Sequence, residues 1–254
     1  MFVIAHVSDP HIDTTERSRR RFGRVVDHLA TLTRPVDAIL LSGDVADRGT
    51  AEEYAVVTKL LDQSAPVLIC PGNHDDRDAL RESALLPRSA LAFPDQPGAP
   101  LHQVRRVGGT LFVLLDATVP GEPYGELGKE GLAWLREQLA SATSGSPVVI
   151  ALHHPPATLG HPGIDDMGLR DGAALATVIE DFPDVAAVLT GHAHTAVSTT
   201  FADRPHVGAV GVNSTLRLPW EIGDGRTDHS APPGLAFHLL DGDRRLITHF
   251  RTLA

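Results

Sequence analysis

The sequence predicts an α/β fold, and three observations carry that prediction. Apolar runs of strand length recur at residues 2–7, 38–41, 67–70, 148–152 and 185–189, as continuous as strands buried on both faces. Between them the apolar residues change to three- and four-residue spacing, so helices alternate with strands and the strands should be largely parallel, joined by right-handed crossovers. Each run also ends in His, Asp or Asn, and the strands of one sheet deliver their carboxyl ends to a single edge.

Taken in order, residues 2–7 give the first strand. Phe22, Val25, Val26, Leu29 and Leu32 mark the helix after it, and Tyr54, Val57, Leu60 and Leu61 mark the helix after the second strand, so the chain opens β-α-β-α-β. Leu132, Leu135 and Leu139 predict an amphipathic helix before residues 148–152, with Trp134 on its core stripe, and Leu175, Val178 and Ile179 predict one before residues 185–189. Two antiparallel hairpins are expected, 101–107 with 110–115 across Gly108-Gly109, and 235–240 with 244–250 across Asp241-Gly242-Asp243. Segments 86–100, 155–172 and 216–233 are rich in Pro, Gly and Asp and read as long functional loops. With no linker, repeat or low-complexity tract, one domain over residues 1–254 is expected.

At 42% hydrophobic and 21% charged residues, the composition excludes disordered and fibrous classes. No apolar stretch is long enough to span a bilayer, so no membrane partner is expected. The first strand starts at Phe2 and reaches Asp9, leaving no room for a cleavable leader, so a cytoplasmic location is expected. Cys70 is the single cysteine, which excludes a disulfide framework and reads as a buried structural thiol. The net charge of −10 disfavours nucleic-acid polymers as partners. Two divalent cations against the carboxylates of Asp9 and Asp44 would still leave a locally positive site, suited to a small phosphate ester.

The polar clusters are Asp9 and His11 in SDPH, Asp44 in GDVADRG, Asn73 and His74 in GNHDD, His153 and His154 in HHPP, and His192 and His194 in GHAH. One such cluster is ordinary turn chemistry; five in order assemble a nest of oxygen and imidazole donors. Alternate residues of an extended loop end, as in GHAH, can address two neighbouring ions, Gly191 leaves space for close backbone approach, and a carboxylate with two oxygens such as Asp44 can bridge two cations. No cysteine joins the set, so a thiolate zinc site is excluded and manganese, iron or zinc suits the donors. Two metals about 3.5–4 Å apart would generate a hydroxide nucleophile and clamp phosphoryl oxygens, the chemistry of phosphoester hydrolysis. His74, beside Asn73 on the other side of an extended backbone, is the candidate proton donor to the leaving alkoxide, with Asp75 orienting its ring.

The ordered set D-x-H, GD-x-x-D, GNHD, H and GH-x-H resembles the calcineurin-like metallophosphoesterase superfamily. The GNHDDR and LHHPP wording is most similar to its bacterial class III cyclic-nucleotide phosphodiesterase branch, over His6 to His194. The resemblance implies a four-layer αββα sandwich, two mixed sheets flanked by helices, with a dinuclear metal centre. It places Asp9, His11 and His194 on one metal, Asn73, His153 and His192 on the other, and Asp44 across both; Asn73 and His74 would contact the substrate. It also implies small phosphodiester substrates such as cyclic nucleotides, and a homodimer. Purple acid phosphatases carry a tyrosine ligand where Asp47 stands, so a tyrosinate-iron centre is not expected. Asp47-Arg48-Gly49 resembles the GD-x-x-DRG signature of protein serine/threonine phosphatases, making Arg48 a candidate phosphate contact; His154 and His161 are further candidates at the site rim. A phosphomonoesterase is the runner-up, because a metal nest hardly reads the ester's second arm. A non-catalytic metal-binding scaffold ranks below it, since every ligand position and His74 is filled. His6, His28, His102, His206, His229, His238 and His249 are unassigned.

Overall fold

A computed structural model describes residues 1–61 and 65–254. The elements run β1 (Phe2–Val7), α1 (Glu16–Ala30), β2 (Ala38–Leu41), α2 (Ala51–Leu60), β3 (Val67–Ile69), α3 (Arg77–Glu82), β4 (Gln103–Val107), β5 (Thr110–Leu114), α4 (Gly128–Ala140), β6 (Val148–Ala151), α5 (Pro162–Asp165), α6 (Gly172–Glu180), β7 (Val185–Thr190), β8 (Val197–Phe201), β9 (Arg204–Gly208), β10 (Thr215–Leu216), β11 (Thr227–Asp228), β12 (Gly234–Leu240) and β13 (Leu246–Thr252). No helix among the described residues is long and apolar enough to cross a membrane.

The five ligand-bearing runs do not share one sheet, as their alternation alone suggested. They divide three and two between two sheets, ordered β13-β12-β1-β2-β3 and β4-β5-β6-β7-β9-β8. In the first, β1, β2 and β3 are parallel while β12 and β13 return antiparallel. In the second, β5, β6, β7 and β9 are parallel, with β4 and β8 antiparallel at the edges. Both expected hairpins are present.

Side-chain alternation explains the layering. Ile4, Leu40 and Leu68 point from the first sheet toward Phe112, Leu114, Val149 and Leu189 of the second, forming the core between them. The opposite faces, Val7, Ile39 and Leu41 on one sheet and Val113, Ile150 and Val188 on the other, pack under helices. Phe22, Val25 and Leu29 of α1 and Tyr54 and Val57 of α2 cover the first sheet; Leu135 and Leu139 of α4 and Leu175 and Ile179 of α6 cover the second. Each such side chain contributes about 1.5–3 kcal/mol by leaving water. The chain is therefore a four-layer αββα sandwich.

The helices α1 and α2 begin where their sequences cap them. Thr15 accepts from the Ser18 amide ahead of α1, and Thr50 and Glu53 form a reciprocal capping box ahead of α2. Cys70 is buried and free, and burial together with nearby Asp116 pushes its thiol well up, so it packs as an inert apolar group.

Candidate metal centre

The strand ends present the ligands through an unusual backbone. Asp9, His11, Asp44, His192 and His194 all have positive φ, at 51°, 41°, 48°, 67° and 51°. Non-glycine residues in the left-handed region cost about 1 kcal/mol or more each and persist only where the surroundings fix them. Here the fixing contacts are visible. The His11 amide donates to the Asp44 carbonyl at 2.9 Å, the Asp9 amide to the Gly43 carbonyl at 3.2 Å, and the Asn213 amide to the Asp9 carbonyl at 3.0 Å.

The donor atoms converge. His11 Nε2 lies 3.2 Å from His194 Nε2 and 3.3 Å from Asp44 Oδ2, and His194 Nε2 lies 3.3 Å from Asp9 Oδ1. On the other side His153 Nε2 stands 3.4 Å from Asp44 Oδ2 and 3.2 Å from His192 Nδ1. With metal–nitrogen bonds of about 2.0–2.1 Å, two donors on one ion would lie roughly 2.9–3.4 Å apart, and these separations fall in that range. Asn73 Oδ1 is buried with no hydrogen-bond partner and lines the same cavity, as a neutral ligand would. The donor set fits two cations, with Asp44 between the two groups.

Outer contacts orient the rings. His153 Nδ1 meets the Ser42 carbonyl at 2.7 Å, so its N–H donates there and Nε2 is left as the ligand atom. His194 Nδ1 is 2.8 Å from Ser214 Oγ. The protonation pattern without cations follows from the same geometry. Burial pushes Asp9 and Asp44 up, but the surrounding imidazoles outweigh it and hold both carboxyls below the usual range. Burial alone would lower His153, yet Asp44 raises it to about 9, whereas burial and its neighbour His153 take His192 down to about 3. Binding a cation here would therefore require His153 to lose a proton, whereas His192 is already neutral.

Not every expected residue stands where the sequence suggested. Asp75 does not orient His74. Its carboxylate accepts from the amides of Gly72 at 2.9 Å, Ala46 at 3.0 Å and Val45 at 3.1 Å, and from the Tyr54 hydroxyl at 3.0 Å, bracing the loops behind Asp44. Burial and nearby Asp44 raise it to about 6. The His74 ring is instead fixed by the Asp47 carbonyl, 2.8 Å from Nδ1, and by an edge contact with His11 at 4.6 Å.

A cavity of about 370 Å³ is lined by His11, Asp44, Asn73, His74, His192 and His194 and by the apolar residues Pro123, Ile164, Met167 and Leu216. Arg48 is exposed and outside that lining. His161 is half-buried and also outside it, with Nε2 3.2 Å from the Arg217 carbonyl. His154 is fully buried behind His153 and His192, away from the cavity wall. Further basic and amide groups that reach the cavity are Arg226, His229 and Asn213. The only sequence signal for the first two was that segment 216–233 is long and irregular; Asn213 gave none.

Residues 2–196 match the family described as calcineurin-like phosphoesterase. The chain belongs to that family. It is 33% identical over 255 residues to a probable cyclic nucleotide phosphodiesterase of Rhodococcus erythropolis, covering 94% of this chain and 80% of that one. It is 30% identical over 209 residues to a glycerophosphodiester phosphodiesterase of Enterobacter lignolyticus, covering 78% and 73%. A dimetal phosphatase from Danio rerio superposes with a TM-score of 0.75 at 17% identity, over 100% of this chain and 96% of that one, so the fold is shared.

Two glycines of this metallophosphoesterase make the close approach of the loops feasible. A Cβ on Gly43, whose φ is 99°, would sit 2.7 Å from His153 Cγ and 2.9 Å from the Gly72 amide nitrogen. A Cβ on Gly191 would sit 2.6 Å from the Ser42 carbonyl oxygen. Gly43→Ala should lower stability by roughly 3 kcal/mol, from the left-handed backbone and the overlap together. Urea unfolding read beside metal analysis checks this, and an unchanged midpoint with full metal content would contradict it.

Proposed function

We propose that this protein hydrolyses small phosphodiesters, cyclic nucleotides among them, with two metal ions of the manganese, iron or zinc type. Asp9, His11 and His194 would hold one, Asn73, His153 and His192 the other, and Asp44 would be shared. The observation that carries this reading is the convergence of donor atoms at coordination-edge spacing, five of whose residues, His11, Asp44, Asn73, His192 and His194, line one cavity. The named activities of the Rhodococcus and Enterobacter relatives support it. When bound, the ions supply Lewis acidity toward phosphoryl oxygens and toward water.

The chain's own residues do the rest. The His74 amide donates to Asp44 Oδ1 at 2.9 Å, which holds the shared carboxylate in register. The His74 ring donates Nδ1–H to the Asp47 carbonyl, leaving Nε2 to hold a proton for the leaving oxygen. The apolar wall of Pro123, Ile164, Met167 and Leu216 gives one ester arm a surface that excludes water.

Reconstituted protein assayed against 3′,5′- and 2′,3′-cyclic nucleotides, glycerophosphodiesters and mono- and bis-nitrophenyl phosphate tests the proposal. Preference for diesters is expected; a strong monoester preference reverses the choice, and inactivity throughout supports a scaffold. His74→Asn should keep the full metal complement while kcat falls about 10²–10³-fold. Near-normal turnover in that variant would remove His74 from the chemistry.

A further inference from the structure

A line of hydrogen bonds runs from the outer strand of the first sheet to the metal nest. Thr248 Oγ1 on β13 is 2.8 Å from His238 Nδ1 on β12, and His238 Nε2 is 3.0 Å from His6 Nδ1 on β1. His6 Nε2 is 2.8 Å from Ser42 Oγ, Ser42 Oγ is 2.7 Å from Ser8 Oγ, and Ser8 Oγ is 2.6 Å from Asp9 Oδ2. His6, His238, Ser42, Ser8 and Asp9 all have 0% exposure.

The protons in this line have one consistent arrangement. Ionised Asp9 only accepts, so the Ser8 hydroxyl donates to it. Ser8 has no second proton, so Ser42 donates to Ser8, and Ser42 must then accept from His6 Nε2–H. Burial holds both imidazoles neutral, so His6 Nδ1 accepts from His238 Nε2–H, and His238 Nδ1 accepts from the Thr248 hydroxyl. Every donor points toward Asp9, and hydrogen bonds in such a series polarise one another.

We infer that His238 and His6 are positioning residues for Asp9, fixing its Oδ2 through the two serines so that Oδ1 is presented to the metal nest. Asp9 enters as the ligand proposed above. Its Oδ1 faces His194 Nε2 at 3.3 Å and His153 Nε2 at 4.0 Å, while Oδ2 is held by Ser8. Two imidazoles and two hydroxyls inside a sheet core are costly to bury and contribute nothing a pair of leucines would not, unless their polarity serves the carboxylate at the end.

Zinc titration against a competing chelator, together with nitrogen-15 spectra of the imidazoles, tests this. Both rings should be Nε2–H tautomers in the metal-free protein. His238→Phe should weaken zinc binding about tenfold, with His238→Gln, which restores a donor and an acceptor, recovering most of it. Zinc affinity within twofold of wild type in a folded His238→Phe protein, or an Nδ1–H tautomer at either ring, overturns the inference. Should His238→Phe fail to fold, Thr248→Val removes only the outermost donor and should weaken zinc about threefold; no change overturns the inference equally. Wild-type protein that binds no zinc would instead refute the ligand role of Asp9, a separate failure.

Discussion

Asp44→Asn is expected to lower kcat/KM at least about 10³-fold and to reduce the metal content from two ions per chain to one or fewer. The substitution preserves volume, so the loss reports charge and donor identity. Oδ1 of Asp44 accepts the His74 amide, an acceptor role an asparagine oxygen can keep. Oδ2 faces His11 Nε2 at 3.3 Å and His153 Nε2 at 3.4 Å, and an amide nitrogen there would present protons to two atoms meant for a cation. Half of the carboxylate charge of the Asp9–Asp44 pair disappears as well. The variant also tests the electrostatics without any metal. Wild-type His153 is held at about 9 chiefly by Asp44 against its own burial, so its pairing stabilises the metal-free fold below the unfolded value of 6.5 and is lost as pH rises through 9. That alkaline loss should shrink in Asp44→Asn. Retention of two ions with wild-type turnover would mean that Asp44 is not the shared ligand.

The parts of this arrangement that could be read from the sequence are those written in local patterns. The ligand-bearing strands are unbroken apolar runs because both faces are covered, as the all-buried residues of β2, β6 and β7 show. The α1 and α2 stripes follow from Phe22, Val25 and Leu29 and from Tyr54 and Val57. What could not be read depends on which surfaces meet. Nothing in an apolar run states which of two sheets it joins, and so the division of β1–β3 from β6–β7 is absent from periodicity. The left-handed positions Asp9, His11, Asp44, His192 and His194 are themselves not glycines, so their residue types do not announce the conformation. Asp75 looked like a partner for His74 because it is adjacent in sequence, but its side chain leaves on the opposite side and meets Tyr54 and three amides. Arg48 stood out for its motif, yet Arg226 from the β10–β11 hairpin reaches the cavity, a placement set by a fold-back of the 216–233 segment. His6 and His238 lie 232 residues apart and become partners only through the pairing of β1 with β12.

The same buried histidines should make the metal-free protein unusually sensitive to acid. His102, His206 and His238 are 2%, 0% and 0% exposed, and burial lowers them to about 4, about 4 and about 3. Each is held as a neutral ring: His102 accepts from the Asp116 amide and stacks on Trp134, His206 meets the Thr190 hydroxyl, and His238 sits in the line to Asp9. Unfolded, all three titrate near 6.5, so below that pH the unfolded chain binds protons that the folded chain refuses. Their contribution is fully present above pH 6.5 and is lost as pH falls toward 4 and 3. At pH 4.5 the loss amounts to roughly 8 kcal/mol for the three rings together, comparable to the entire stability of an ordinary domain. Asp75 acts in the opposite sense, because its raised carboxyl gains a proton on folding between about 6 and the unfolded value of 3.8, but at pH 4.5 it offsets only about 2 kcal/mol. Urea midpoints measured in chelator should therefore fall steeply from pH 6.5 to 4.5, with the protein unfolding within that interval. His102→Phe combined with His206→Leu should flatten the acid limb, because two of the three rings no longer need to stay neutral. A wild-type midpoint that is level from pH 7 to 5 would show that these imidazoles are protonated in the folded state, and the one-way proton arrangement through His238 would fall with it.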